Sequence, residues 1–124
     1  MPRALLAVAL LLAAPAASAL EPWTSYDTAL EVAFAGALVA DWLQTRQIAR
    51  TADGPGGLEE SNPLLGRRPS GPHLGGYFAA AAVGHLAVAA VLPRPWRTVW
   101  QATWIGLEGL SIRKNASLGL RVTF

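Results

Sequence analysis

The chain of 124 residues has no cysteine, which excludes disulfide frameworks, cysteine-based zinc sites and thiol nucleophiles together. Charge is also scarce. Asp, Glu, Lys and Arg make up 15% of the residues against 52% hydrophobic ones, with a mean hydropathy of +0.33, too apolar for disorder and unusually apolar for a soluble domain of this size. Only two histidines occur, His73 and His85, and they form no HExxH or other paired-ligand spacing. A Ser-centred nucleophile elbow, a P-loop and a GxGxxG turn are likewise missing. The net charge of +2 comes from arginines scattered beside apolar stretches, not from a basic stripe interleaved with aromatics, so nucleic acid is not an expected partner.

What is present reads as an address followed by membrane helices. Met1-Pro2-Arg3 gives a short basic start, Ala4 to Ala14 an apolar run, and Ala17-Ser18-Ala19 a small-x-small pattern. Together they predict a signal peptide over 1–19, with an uncleaved anchor as the alternative. The remainder, 20–124, reads as one all-α domain, a polytopic membrane bundle of three transmembrane helices over about 28–49, 73–92 and 96–112. The middle span has no Asp, Glu, Lys or Arg across 20 residues and is the firmest, because about 20 apolar residues cross a bilayer. The first holds Glu31 and Asp41 and the third Arg97 and Glu108. A charge at the centre of a span costs about 2.5–3.5 kcal/mol on insertion scales, so these two need neighbours.

If export places residue 20 in the periplasm, the 50–72 segment and the C-terminal tail face the cytoplasm. Arg46, Arg50, Arg67, Arg68, Arg113, Lys114 and Arg121 then lie on or near the inner side against Arg94 and Arg97 outside, as the positive-inside rule requires. Pro93-Arg94-Pro95 predicts a tight non-helical connection that makes the last two helices antiparallel neighbours. Gly76, Ala80 and Gly84 form a strip suited to close backbone approach.

Candidate chemistry follows helical spacing. Asp41, Gln44, Thr45 and Ile48 share one face of the first span, continued outward by Phe34 and Ala37, and Gln101, Trp104 and Glu108 share one face of the third. Asp41, Glu60 and Glu108 are the catalytic candidates, and Thr45, Gln44, Asn62 and Gln101 the binding candidates. Asp41, His85 and Glu108 are the candidate ligands of a divalent metal, although a histidine hydrogen-bonded across helices to Asp41 or Gln101 is the preferred reading, and no cofactor is expected. Glu31 is expected near the outer surface, solvated. In Glu59-Glu60-Ser61-Asn62-Pro63-Leu64-Leu65-Gly66, Pro63 and Asn62 predict a turn. Its functional counterpart is a loop pinned by Leu64 and Leu65 that sets Glu60 and Asn62 over a mouth beside Thr45 and Glu108. Ser70-Gly71-Pro72 reads as a helix start. Asn115-Ala116-Ser117 is a formal glycosylation sequon, incidental on a cytoplasmic tail.

The Asp41-x-x-Gln44-Thr45 element, the Glu60-Ser-Asn-Pro-Leu-Leu-Gly66 loop, Arg94-Pro-Trp-Arg97 and Asn115 together resemble a group of small uncharacterised bacterial inner-membrane proteins. That group has an export signal and a Glu-x-Asn-Pro-Leu-Leu-Gly loop. The chain is also distantly similar to a broader membrane family with an intramembrane Asp-Thr element before a Glu-x-Asn-Pro loop. The resemblance implies the membrane architecture and points to Asp41, Thr45, Glu60 and Asn62. It implies no activity. Three readings stay open, in order of preference: a structural or interaction component that docks a membrane-protein partner or a second copy, a membrane-embedded metal-dependent hydrolase, and a small transporter or holin-like pore. The first leans away from an enzyme.

Overall fold

The computed structural model describes residues 21–51, 59–60 and 62–123; the expected signal peptide lies outside them. Three helices follow one another, α1 (Ser25–Thr51), α2 (Gly71–Val91) and α3 (Arg94–Ser117), with no strand among the described residues. Among the described residues the regular structure is all-helical, as expected.

Each helix begins where its sequence allows the first turn to be satisfied. Thr24 caps α1: its hydroxyl accepts the Asp27 N–H at 3.1 Å while Asp27 Oδ2 accepts the Thr24 N–H at 2.8 Å. A reciprocal cap of this kind contributes about 1 kcal/mol. Ser70 caps α2, accepting the His73 N–H at 3.3 Å, and Pro72 sits in the first turn, where its missing N–H leaves no bond unmade. The connection from α2 to α3 is shorter than expected. Arg94 and Pro95 already belong to α3, because a proline in a first turn favours helix instead of breaking it. At its other end α3 runs past Ile112 through Arg113 and Lys114, cations suited to a helix C-terminus. Gly119, at φ +85°, closes it: the Gly119 N–H reaches Ala116 O and the Leu120 N–H reaches Asn115 O, each at 3.0 Å.

Polar partners climb α1 and α3 together, Asp27 with Arg97, Glu31 with Gln101 and Asp41 with Asn115. Those two helices are therefore parallel, and α2 runs against both. α1 packs most extensively on α3, less on α2, and α2 and α3 touch least. The short connection makes them neighbours at one end only. The Gly76 and Gly84 positions accordingly face open space, with no atom within 4 Å of an added Cβ, so the small-residue strip does not serve close packing within the chain.

Phe34, Leu38, Leu65, Leu74 and Phe78 form the apolar core, flanked by Trp42, Tyr77 and Trp104. Leu65 pins the 59–70 loop as expected, whereas Leu64 is 72% exposed. The tail beyond α3 folds back along α1. Leu120 is buried, Gln44 Nε2 donates to Ile112 O and Leu120 O at 3.3 and 3.5 Å, and the Gln47 amide pairs with the Arg121 backbone. Among the described residues one helix, Gly71–Val91, is long and apolar enough to cross a membrane.

Candidate functional site

The buried polar side chains lie in layers along the bundle. At the α1 N-terminus Arg97, fully buried, donates from Nη1 to Asp27 Oδ2 at 3.2 Å, from Nη2 to Glu21 O at 3.2 Å and from Nε to Ala89 O at 2.9 Å, with its guanidinium over the Trp23 ring. The Ala89 bond has a local cause. In a helix the carbonyl of residue 89 would take the N–H of residue 93, which is proline and has none. Burial alone would raise the Asp27 carboxyl, but the Thr24 N–H and hydroxyl and the Arg97 charge outweigh it and hold Asp27 below the usual carboxylate range.

One turn further, His85 Nδ1 lies 2.9 Å from Glu31 Oε1, and Gln101 Nε2 donates to Glu31 Oε2 and Asp27 O, both at 3.0 Å. The His85 ring is sandwiched between Phe34 and Trp100, with centroids at 3.6 and 5.4 Å, and the Trp100 indole N–H donates to His85 O. Glu31 is thus no solvated surface carboxylate: its side chain is 17% exposed and spoken for by two partners. His85 pairs with neither Asp41 nor Glu108, so the expected metal triad does not form. Among the described residues no three His, Asp or Glu side chains converge on a cation site. The histidine is held across helices by hydrogen bonds, in the manner preferred above, though its partner is Glu31.

Asp41 lies ten residues beyond Glu31, about 15 Å along the helix. Its Oδ1 accepts the Asn115 Nδ2 at 2.7 Å, and Thr45 and Glu108 line the cavities beside it. Glu60 is near enough to repel Asp41 electrostatically. The loop that carries Glu60 is ordered by Asn62, whose backbone N–H donates to Glu60 Oε1 at 2.8 Å, whose Oδ1 accepts the Leu64 N–H at 3.0 Å, and whose Nδ2 donates to the Tyr77 hydroxyl at 2.8 Å. Gly66, at φ +76°, completes the turn.

Two adjoining cavities surround Asp41. The larger, about 440 Å³, opens where α2 and α3 diverge. Phe34, Leu38 and Asp41 of α1 form its floor, Tyr77, Phe78, Gly84 and His85 of α2 one wall, and Trp100, Trp104, Leu107 and Glu108 of α3 the other. The smaller, about 130 Å³, is the polar mouth, lined by Asp41, Thr45, Glu60, Asn62, Lys114 and Asn115. Asp41, Asn62, Tyr77, Phe78 and Ser111 border both. Of the sequence candidates, Asp41, Thr45, Glu60, Asn62, His85 and Glu108 therefore line connected space. Gln44 and Gln101 do not: one ties down the tail and the other braces Glu31 and the α1 backbone.

Arg97, Asp27, Glu31, Tyr77 and Asn115 are missing from the expected set. Four of them were signalled by spacing. The stripe Phe34-Leu38-Asp41-Thr45-Ile48 continues outward in steps of three and four to Glu31 and Asp27, and Gln101-Trp104-Glu108 extends to Arg97 on one side and to Ser111 and Asn115 on the other. Asn115 is thus a partner of Asp41, whatever its sequon. Tyr77 gives no such signal, since its role depends on the fold of a distant loop. No family model, no curated protein and no solved structure matches the chain.

Proposed function

We propose that the chain is a three-span integral protein of the bacterial inner membrane, acting as a structural or interaction component. An inversion of polarity carries this reading. Asp27, Gln44, Thr45, His85, Arg97 and Gln101 are buried, while Val32, Val39, Val83, Leu86, Val99, Leu107 and Leu110 are exposed. Over Ala29–Val39 of α1, Gly76–Val91 of α2 and Trp96–Leu110 of α3, every exposed residue is apolar except Thr103. In water such a belt around three helices is an aggregation surface, and in hydrocarbon it matches the solvent. The charges that keep α1 and α3 from reading as simple apolar spans are turned inward, and Glu31, Asp41 and Arg97 are paired there, the arrangement lipid demands.

Arg50, Arg67, Arg68, Arg113, Lys114 and Arg121 gather toward one end of the bundle, and the positive-inside rule assigns that end, with the 59–70 loop and the tail, to the cytoplasm. The α1 N-terminus then faces the periplasm. The likeness to the inner-membrane group is part of the same proposal, supported by the fact that its motif residues Asp41, Thr45, Glu60 and Asn62 border one polar cavity. Metal-dependent hydrolysis is the less favoured reading, because among the described residues no three His, Asp or Glu side chains converge on a cation site.

The absence of cysteine makes the test direct, since any introduced thiol is unique. With a membrane-impermeant maleimide on spheroplasts, Tyr26→Cys reacts from outside. Leu64→Cys and Ser117→Cys react only once the membrane is opened, and Val83→Cys in neither case. Ready labelling of Val83→Cys in intact membranes overturns the three-span reading.

A further inference from the structure

The cavity between α2 and α3 has an aromatic body and an end set by the carboxyl groups of Asp41 and Glu108, a pairing that specifies a class of ligand. At about 440 Å³ it falls within the range of roughly 300–1,000 Å³ typical of small-molecule sites. Phe34, Phe78, Trp100 and Trp104 supply broad ring surface. Asp41 and Glu108 supply the polar end, with Glu60 adding negative potential from the adjoining mouth.

Two buried polar atoms on side chains that line this cavity have no partner, Glu108 Oε2 and His85 Nε2. The His85 side chain is 3% exposed, so water does not satisfy it from bulk. Glu108 Oε2 is a carboxyl oxygen that accepts a hydrogen bond, and the free ring nitrogen of His85 is a second polar atom on the wall. A buried unpartnered polar atom costs about 1–3 kcal/mol, and at Glu108 Oε2 a ligand that brings a donor removes that cost. A ligand with N–H donors, a positive charge and an apolar body matches all of these features, the aromatic rings adding cation–π attraction near the head.

We propose that this cavity binds a protonated apolar amine, its aromatic or aliphatic body between Trp100, Trp104 and Phe78 and its ammonium against the Asp41–Glu108 pair. The site rests on the membrane reading, because Ala80, Gly84 and Leu107 on its rim are exposed, so the body enters from the hydrocarbon between α2 and α3. A free carboxylic acid or an alcohol of the same shape lacks the charge or carries the wrong one.

The test uses the full chain in nanodiscs and three probes with one body, 3,3-diphenylpropylamine, 3,3-diphenylpropanol and 3,3-diphenylpropanoate. Binding is read by titration calorimetry and by the summed tryptophan emission, with empty nanodiscs subtracted. The amine binds at least tenfold more tightly than the alcohol, and the acid most weakly. Asp41→Asn removes the preference for the amine. Gly84→Leu, which fills the cavity from a position whose Cβ meets nothing within 4 Å, weakens all three by tenfold or more while circular dichroism stays unchanged. Equal binding of the three probes, or Gly84→Leu with undiminished affinity, overturns the proposal. Failure of the amine to bind in protein whose cysteine labelling gives the three-span pattern overturns the ligand and leaves the membrane reading standing; failure of the labelling pattern itself overturns the latter.

Discussion

Replacing Arg97 by methionine removes the side chain on which the periplasmic end of the bundle converges. Asp27, 1% exposed, would lose its countercharge but keep the Thr24 N–H and hydroxyl. The Ala89 carbonyl, already without a helical donor because residue 93 is proline, and the Glu21 carbonyl would each lose the bond they receive from Arg97. Breaking a buried pair by removing one partner costs about 3–5 kcal/mol, whereas replacing both partners by apolar groups of similar volume is close to neutral. Arg97→Met should therefore destabilise by that amount, and Asp27→Leu combined with Arg97→Met should recover at least half of it. Arg97→Lys should behave like methionine for two of the three carbonyl and carboxylate contacts, since one ammonium does not reproduce a fork of five donors. The measurement is reversible unfolding in mixed micelles, followed by circular dichroism. A loss below about 1 kcal/mol for Arg97→Met, at the level of a surface pair, or a double variant no more stable than the single one, would refute the assignment of Arg97 as the central tie.

The same end of the molecule sets an acid limit. Asp27 is held below its unfolded value of 3.8, so its contribution to stability is full above that value and is lost as pH falls through the lower folded one; wild-type protein should lose thermal stability below about pH 4 more steeply than Asp27→Asn, and parallel curves would contradict this. Tyr77→Phe deletes the acceptor of the Asn62 amide and should cost the loop about 1 kcal/mol, seen as several-fold faster hydrogen exchange at the Leu65 and Gly66 amides that bond Asn62 O. His85→Phe keeps a ring between Phe34 and Trp100 but leaves Glu31 with Gln101 alone, so it should destabilise by about 1–3 kcal/mol and Glu31→Gln should restore part of the loss. An unaffected melting temperature in His85→Phe would show that the Glu31 contact contributes nothing.

The helices were legible because caps, prolines and apolar periodicity are local. Ser70 and Pro93 mark boundaries that the structure keeps to within a few residues. The polar mouth was legible for a related reason: Asp41, Thr45, Glu108 and the Asn62 turn lie at spacings that bring them to one end of the bundle, whichever neighbour each finally meets. Depth was misjudged for Glu31. A charge near the end of an apolar run reads as solvated, and only the neighbouring helix decides whether it faces outward or inward. Gln44 and Gln101 share helix faces with cavity residues, yet α1 and α3 meet so closely that these amides reach backbone carbonyls instead. The separation of α2 from α3 had no sequence signature, since a short connection constrains only the ends it joins.

The stacked polar layers also bear on how the helices find one alignment. Hydrocarbon offers no preference among the ways two apolar helices slide past each other, because lipid tails are as apolar as the side chains they replace. Sliding α3 one turn along α1 would set Arg97 beside Glu31, strand Asp27 against the prolines at 93 and 95, and carry Asn115 away from Asp41. Every such slip leaves an ionised or amide group facing hydrocarbon, so the ladder of pairs fixes the vertical setting of the two parallel helices. Residues that contribute little to net stability can in this way determine which of several nearly isoenergetic bundles the chain forms.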